Sequence, residues 1–155
     1  MINLLKSSTL QGGRAIILSI KPKYAELILA GSKTVEFRRV WAAESVDTIV
    51  IYASTPIQKL LGIVKITEVV KAKPATLWSY CSKLGGGLSK AELSAYLDGK
   101  DTGFAVLLMD AKRFSQSVDP RKVIKDFLPP QSFRYLVNTE IRKLEKFISQ
   151  VEGGL

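Results

Sequence analysis

The chain has 155 residues, 46% of them hydrophobic, and its 23 Lys and Arg against 14 Asp and Glu give a net charge of +9. This composition predicts one globular domain over residues 1–155 with a core of its own, which excludes a disordered chain. Histidine is absent and Cys81 is the one cysteine, which excludes Ser-His and Cys-His nucleophiles, zinc sites of histidines and thiolates, and an intrachain disulfide. We expect no cofactor and no bound metal.

The excess of positive charge favours a polyanionic partner, because a basic domain attracts nucleic acid through its phosphates. The basic residues are scattered rather than gathered on one amphipathic helix, so membrane binding is not expected. No apolar run reaches the roughly 20 residues that span a bilayer. The N-terminal MINLLKSSTLQGGR is too short and too polar for a secretory signal, so we expect a cytoplasmic protein.

The N-terminal third predicts a strand, a helix and a second strand. Ala15–Ser19 is the first strand, and a helix of two to three turns begins at Pro22 and ends before Gly31. The second strand spans Thr34–Arg39, with alternate apolar side chains that can face a core. Polar side chains therefore collect where the chain turns.

The rest of the chain mixes apolar strands with short helices. The tail helix is amphipathic, with an apolar stripe of Ile141, Leu144, Ile148 and Val151. Helices interrupt the order of the strands, which predicts an α+β fold, a mixed β-barrel of about five to six strands decorated by short helices. The remaining strands are predicted at 47–53, 61–70 and 103–109, and the remaining helices at 74–84, 89–97, after 119 and at 138–151.

Charged and aromatic residues near the turns are candidate site residues. Lys33 and Glu36 can act as a proton-transfer pair or as a structural ion pair, and Arg38 shares a strand face with Glu36. Ser19 and Lys21 precede the first helix, whose N-terminus suits an anion.

Two further features suit a nucleic acid. Arg134 and Tyr135, next to Phe133, can stack a base and meet a phosphate, or the rings can seal the core. Tyr52 ends a buried strand at a turn, so its ring can be core while its hydroxyl lines a cleft.

The stretch LSIKPKYAELILAGSKTVEFRR, with a G-x-K-x-x-E-x-R core from Gly31 to Arg38, resembles the ASCH domain, a PUA-like β-barrel family. The segments IVIYASTP, GKDTGFAVLL and PPQSFRYL are similar to the bacterial and archaeal members described as PUA-like predicted regulators. The resemblance covers roughly residues 15–136 and leaves out the N-terminal arm and the tail helix at 138–151.

This resemblance implies a barrel with a polar cleft beside the first helix, and RNA or DNA binding; some relatives are enzymes. One branch hydrolyses acetylated cytidine with a lysine, a threonine three residues later and a glutamate further along. Lys33 matches that lysine, but Glu36 stands in the threonine's place, and the Gly85–Gly87 run stands where the second carboxylate would fall. The departure favours binding over that mechanism.

We therefore predict a basic cleft that binds RNA or a nucleotide-like molecule. Two alternatives stay open. One is a histidine-free hydrolase of RNA (a ribonuclease) or of a modified nucleoside (acetylcytidine amidohydrolase-like), with Lys33 and Glu36 as catalytic residues; the other is a protein-interaction module that uses the tail helix. The predicted cleft residues are Ser19, Lys21, Lys33, Glu36, Arg38, Tyr52, Arg134 and Tyr135.

Overall fold

A computed structural model describes residues 13–153, and within them the chain forms six strands and four helices. Nearly all of the predicted N-terminal arm before Arg14 lies outside the described residues. The strands are β1 (Arg14–Ile20), β2 (Val35–Arg38), β3 (Val46–Ala53), β4 (Lys59–Ala72), β5 (Gly103–Val118) and β6 (Phe133–Tyr135). The helices are α1 (Pro22–Leu29), α2 (Pro74–Leu84), α3 (Lys90–Tyr96) and α4 (Asn138–Gly153), with a 3₁₀ turn at Pro120–Lys122.

The strands form one sheet in the order β2-β5-β4-β3-β1-β6, which curls into a half-barrel. β1 and β3 are parallel and every other pair is antiparallel. The predicted mixed α+β fold is confirmed. The parallel register places Ser19 opposite Tyr52, so the turns that follow β1 and β3 meet at one end of the sheet.

Local sequence signals set the helix ends as predicted. Pro22 and Pro74 occupy the first turns of α1 and α2. Gly31 and Gly85 follow these helices in left-handed conformations, with φ of 82° and 65°. At the start of α3, Ser89 and the glutamate three residues later form the predicted capping box.

The predicted boundaries miss the second half of β5. The prediction ended this strand at Met109, but the strand continues to Val118 and its distal part still pairs with β4, with Arg113 opposite Gly62. That segment is mostly exposed and polar, so hydrogen bonding to β4 extends the strand where no apolar alternation marks it. β6 has three residues, too few for any periodicity, and pairs with β1.

The tail helix α4 is part of the core. Ile141, Leu144 and Ile148 are each 2% exposed and pack in a cluster with Ile17 and Val50 of the sheet. Val151 lies outside the described side chains. The three described side chains of the predicted apolar stripe therefore pack into the core. Within residues 13–153 no helix is long and apolar enough to cross a bilayer.

Candidate functional site

A cavity of about 590 Å³ opens where the ends of β1 and β3 meet the start of α1, the strand β2 and the helix α3. The parallel pairing of β1 with β3 creates this end of the sheet, and the loop before β6 closes one side of it. The cavity is lined by Ser19, Ile20, Lys21, Tyr24, Lys33, Glu36, Phe37, Arg38, Tyr52, Ser54, Thr55, Gln58, Leu88, Glu92, Ala95, Tyr96, Pro129, Pro130 and Gln131.

Three charged side chains form a row in this cavity, which we call the charged row: Lys33, Glu36 and Arg38. Lys33 Nζ lies 3.4 Å from Glu36 Oε1, and Arg38 Nε lies 3.8 Å from Glu36 Oε2. Lys33 is 2% exposed and Glu36 is 8% exposed, so the row is largely withdrawn from water. The sequence placed these residues near one another, and the structure brings them into one cavity wall.

Backbone carbonyls from distant parts of the chain hold both cations of the charged row. Lys33 Nζ donates a hydrogen bond to the carbonyl of Gly86, and its ammonium lies 5.3 Å from the centre of the Tyr24 ring. Arg38 donates from a terminal nitrogen to the carbonyl of Ser19 at 2.8 Å. The loop after α2 and the end of β1 therefore position the two cations.

The glycine run after α2 allows this close approach. A Cβ at Gly85 would meet the backbone carbonyl of Ser32, and a Cβ at Gly86 would meet Cys81 Sγ and the Phe37 ring. Gly85 also has a positive φ. The sequence showed this run only as a helix stop, but it also brings a carbonyl oxygen to Lys33.

Side-chain alternation along β2 separates the charged row from the core. Val35 and Phe37 join the cluster under α2 and α3, as predicted, while Glu36 and Arg38 alternate with them. Pairing with β5 holds this edge strand in place, with Glu36 opposite Val106.

The hydroxyl-bearing residues of the cavity are positioned by the fold. Ser19 Oγ donates to the carbonyl of Pro130 at 2.6 Å, which ties β1 to the loop before β6. Burial raises the pKa of the Tyr52 phenol, whose ring packs 5.4 Å from that of Phe127. Burial, with the charge of Glu92 as the next cause, also raises the pKa of Tyr24. Both phenols therefore stay protonated at neutral pH and can donate hydrogen bonds.

Arg134 and Tyr135 do not line the cavity. Arg134 forms an ion pair with Glu140 at 3.0 Å. The Tyr135 hydroxyl accepts a hydrogen bond from the backbone N–H of Glu44, and the Arg14 guanidinium lies 4.5 Å from its ring centre. These contacts join β6 to the start of α4 and to the loop before β3. The other six predicted cleft residues all line the cavity.

Several cavity residues were absent from the prediction. Tyr24 lies three residues after Lys21, and helical spacing could have found it. Glu92 lines the cavity, and its carboxylate accepts the backbone N–H of Ser89, whose hydrogen bonds lower the pKa of Glu92. Gln58, Tyr96 and residues 129–131 arrive through tertiary packing, for which the sequence carries no local signal.

Thr34, the residue after Lys33, donates from its hydroxyl to the carbonyl of Leu84 at 2.7 Å and is not a lining residue. Among residues 13–150, no cluster of three or more Asp, Glu, Cys or His side chains could hold a metal ion.

A half-barrel with a charged cavity beside its first helix defines a PUA-like domain. The family model for the ASCH domain matches residues 18–113, and the chain belongs to this family, a PUA-like RNA-binding domain.

A protein of Zymomonas mobilis named ASCH domain-containing ribonuclease is 34% identical over 139 residues, which cover 88% of this chain and 93% of that protein. The crystal structure of ASCH from Zymomonas mobilis superposes with a TM-score of 0.80 at 29% identity, covering 86% of this chain and 94% of that one. A hypothetical protein from Leishmania major shares the fold, with a TM-score of 0.60 at 14% identity over 90% of this chain and 97% of its own.

Proposed function

We propose that this protein binds single-stranded RNA and holds one nucleotide of the strand in the cavity beside α1. The observation that carries the proposal is the buried charged row on the wall of a cavity in an RNA-binding fold. A volume of about 590 Å³ lies within the range of roughly 300–1,000 Å³ found for small-molecule pockets. An unpaired nucleotide can enter such a cavity, whereas a base inside a duplex cannot.

Different parts of the cavity suit different parts of a nucleotide. Lys21 is exposed at the start of α1, where a phosphate would also lie at the positive end of the helix dipole. The ring of Tyr24 and the side chain of Leu88 offer apolar surface to a base. We place the charged row against the polar edge of the base.

The hydroxyls of Ser19 and Tyr52 belong to this proposed site as positioning groups. Arg134 and Tyr135 stay outside it because neither lines the cavity; one guanidinium nitrogen of Arg134 bonds Glu140, and the Tyr135 hydroxyl bonds the backbone of Glu44. They are proposed only as contacts for a strand that continues past the cavity.

Titration of a fluorescein-labelled single-stranded RNA, followed by anisotropy, tests the binding proposal. Replacing both Lys33 and Arg38 by Ala removes the two cations of the row, and we expect affinity to fall at least about tenfold, since a hydrogen bond to a charged group contributes about 1.5–3 kcal/mol. Lys112→Ala is the matched control, because it removes an exposed charge that does not line the cavity. Equal affinity of the double variant and the wild-type protein would remove this site from consideration.

RNA cleavage is the second candidate function, and the 34% identical relative named as a ribonuclease favours it. In this proposal the 2′-oxygen forms a bond to phosphorus as the bond to the 5′-oxygen breaks; Glu36 accepts the 2′-hydroxyl proton, Lys33 donates a proton to the leaving 5′-oxygen, and Arg38 stabilises the negative charge on the non-bridging phosphate oxygens. The separation of 3.4 Å between Lys33 and Glu36 suits groups that serve one substrate. The engaged hydroxyl of Thr34 argues against a threonine nucleophile of the acetylcytidine type.

Incubation with labelled RNA and with acetylated cytidine, each with and without divalent metal, separates binding from turnover. A nuclease shortens the RNA, and Glu36→Gln abolishes the cleavage even at RNA concentrations that saturate the variant. A protein that only binds leaves both substrates unchanged.

A further inference from the structure

The charged row has hydrogen-bonding capacity that the protein does not use. Arg38 Nε is buried and makes no hydrogen bond to any described residue. Its distance of 3.8 Å to Glu36 Oε2, and that of 3.4 Å from Lys33 to Oε1, exceed the roughly 2.7–2.9 Å of charge-assisted hydrogen bonds. Buried polar groups are nearly always paired, so a buried donor on a cavity wall indicates a ligand that completes it.

The charged row also has an order. The two cations approach opposite oxygens of the Glu36 carboxylate, so the carboxylate lies between them. Lys33 and Arg38 have donors only, and an ionised carboxylate has acceptors only. The cavity wall therefore presents a donor, an acceptor and a donor in sequence.

Only one kind of nucleobase edge complements this order. The imide edge of uracil presents a carbonyl, an N–H and a carbonyl, which pair with Lys33, Glu36 and Arg38 in turn. Guanine matches at two positions and places its amino group against a cation. Cytosine and adenine place an acceptor nitrogen at the centre of their edges, against the carboxylate.

We propose that the cavity selects a pyrimidine imide edge, that of uridine, with the charged row as the reader of its Watson–Crick edge. This inference rests on the proposed function and adds the identity of the base. The imide can belong to a uridine within an RNA strand or to a free uridine nucleotide. Tyr24, whose ring centre lies 5.3 Å from the Lys33 ammonium, provides apolar surface beside the row.

Oligouridylate and oligocytidylate of equal length, which carry equal backbone charge, form the first pair of ligands for anisotropy titrations with the wild-type protein. We expect uridine to bind at least about fivefold more tightly, which is the lower end of the discrimination of about 1–3 kcal/mol that a well-made base contact gives. An oligomer of 3-methyluridine keeps both carbonyls but loses the central N–H, and we expect it to lose this advantage. These comparisons use only the wild-type protein, so a folding defect of a variant cannot affect their result.

Two further experiments test whether Glu36 recognises the base and whether the natural ligand is an RNA strand or a free nucleotide. Glu36→Gln offers an amide that can donate to the ring nitrogen of cytosine, so the preference for uridine should shrink about fivefold or more. Uridine monophosphate as competitor distinguishes the sources: displacement at the concentration of the oligomer itself indicates a free nucleotide, and displacement only at large excess indicates a strand.

The outcomes separate this inference from the proposed function. Equal binding of the uridine and cytidine oligomers, both weakened when Lys33 and Arg38 are replaced by Ala, overturns the base selectivity and leaves RNA binding in place. Failure of every oligomer and of the nucleotide to bind overturns both. If the Glu36→Gln variant keeps the full preference for uridine, the charged row is not the group that selects this base.

Discussion

The cations of the cavity differ in exposure, and this difference predicts how each contributes to the salt dependence of RNA binding. Lys21 is exposed at the start of α1, whereas Lys33 is 2% exposed and faces the Glu36 carboxylate. A cation that meets a phosphate releases counterions condensed on the RNA, whereas the buried Lys33 is proposed to meet an uncharged base edge and releases none. Lys21→Ala should therefore reduce the salt dependence, and Lys33→Met should not.

The expected size follows from one phosphate contact. For a single strand each contact contributes about 0.7 to the slope of log affinity against log salt, so Lys21→Ala should lower the slope by about 0.7. Between about 50 and 200 mM salt, the ratio of wild-type to variant affinity then shrinks about 2.6-fold. Lys33→Met should weaken binding by about tenfold or more at every salt concentration, because a hydrogen bond to a charged group is lost.

Anisotropy titrations at five salt concentrations measure both slopes, and circular dichroism verifies that each variant is folded. Lys112→Ala, which removes an exposed charge on β5 away from the cavity, sets the slope change expected of a remote charge. The reasoning is refuted if Lys33→Met lowers the slope as much as Lys21→Ala does, or if Lys21→Ala behaves like the remote control.

Three further predictions concern the fold that carries the cavity. Leu144→Ala in α4 should lower the free energy of unfolding in urea by about 2–5 kcal/mol, while Leu128→Ala, 79% exposed, should change it by less than about 0.5 kcal/mol; similar values for both would contradict the packing of α4. Hydrogen bonds from Arg121 hold the pKa of the Asp119 carboxyl well below its usual value. The ionised carboxylate therefore stabilises the folded protein at neutral pH, and this contribution is lost as the pH falls below about 4. Asp119→Asn should thus destabilise the protein at pH 7, and a difference from wild type that fails to narrow below pH 4 would contradict this. Gly85→Ala should lower the melting temperature more than Gly99→Ala, since both have positive φ but only the first would meet backbone; equal losses would contradict the close approach.

Features coded by neighbouring residues could be predicted from the sequence. Pro22, Gly31 and the Ser89 capping box fixed helix ends, and the apolar run of β3 predicted a strand that is buried along its whole length. The second half of β5 and the three residues of β6 could not be predicted, because partner strands and not side-chain patterns make them strands.

In the candidate site, too, some features follow from neighbouring residues and others from distant parts of the chain. The charged row comes from six consecutive positions, so a local pattern contains it, and the structure places all three side chains on one cavity wall. The carbonyl that holds Lys33 comes from Gly86, 53 residues away, and no local rule connects the two. Arg134 lies between two aromatic residues, a pattern that suits RNA. Its partner Glu140, however, lies on α4, and the sequence did not predict where this helix packs.

The geometry of the charged row explains why affinity and selectivity should come from different cations. Withdrawing Lys33, Glu36 and Arg38 from water costs free energy, which close ion pairing would partly recover. Here each cation instead gives a hydrogen bond to a backbone carbonyl, and the carboxylate between them stays 3.4 and 3.8 Å away. Because these carbonyls hold both cations, neither cation can move into close contact with the Glu36 carboxylate. The unused donors and acceptors of the charged row therefore remain available to a base. Exposed residues such as Lys21 then attract the phosphates of the strand, and the buried charged row selects the base.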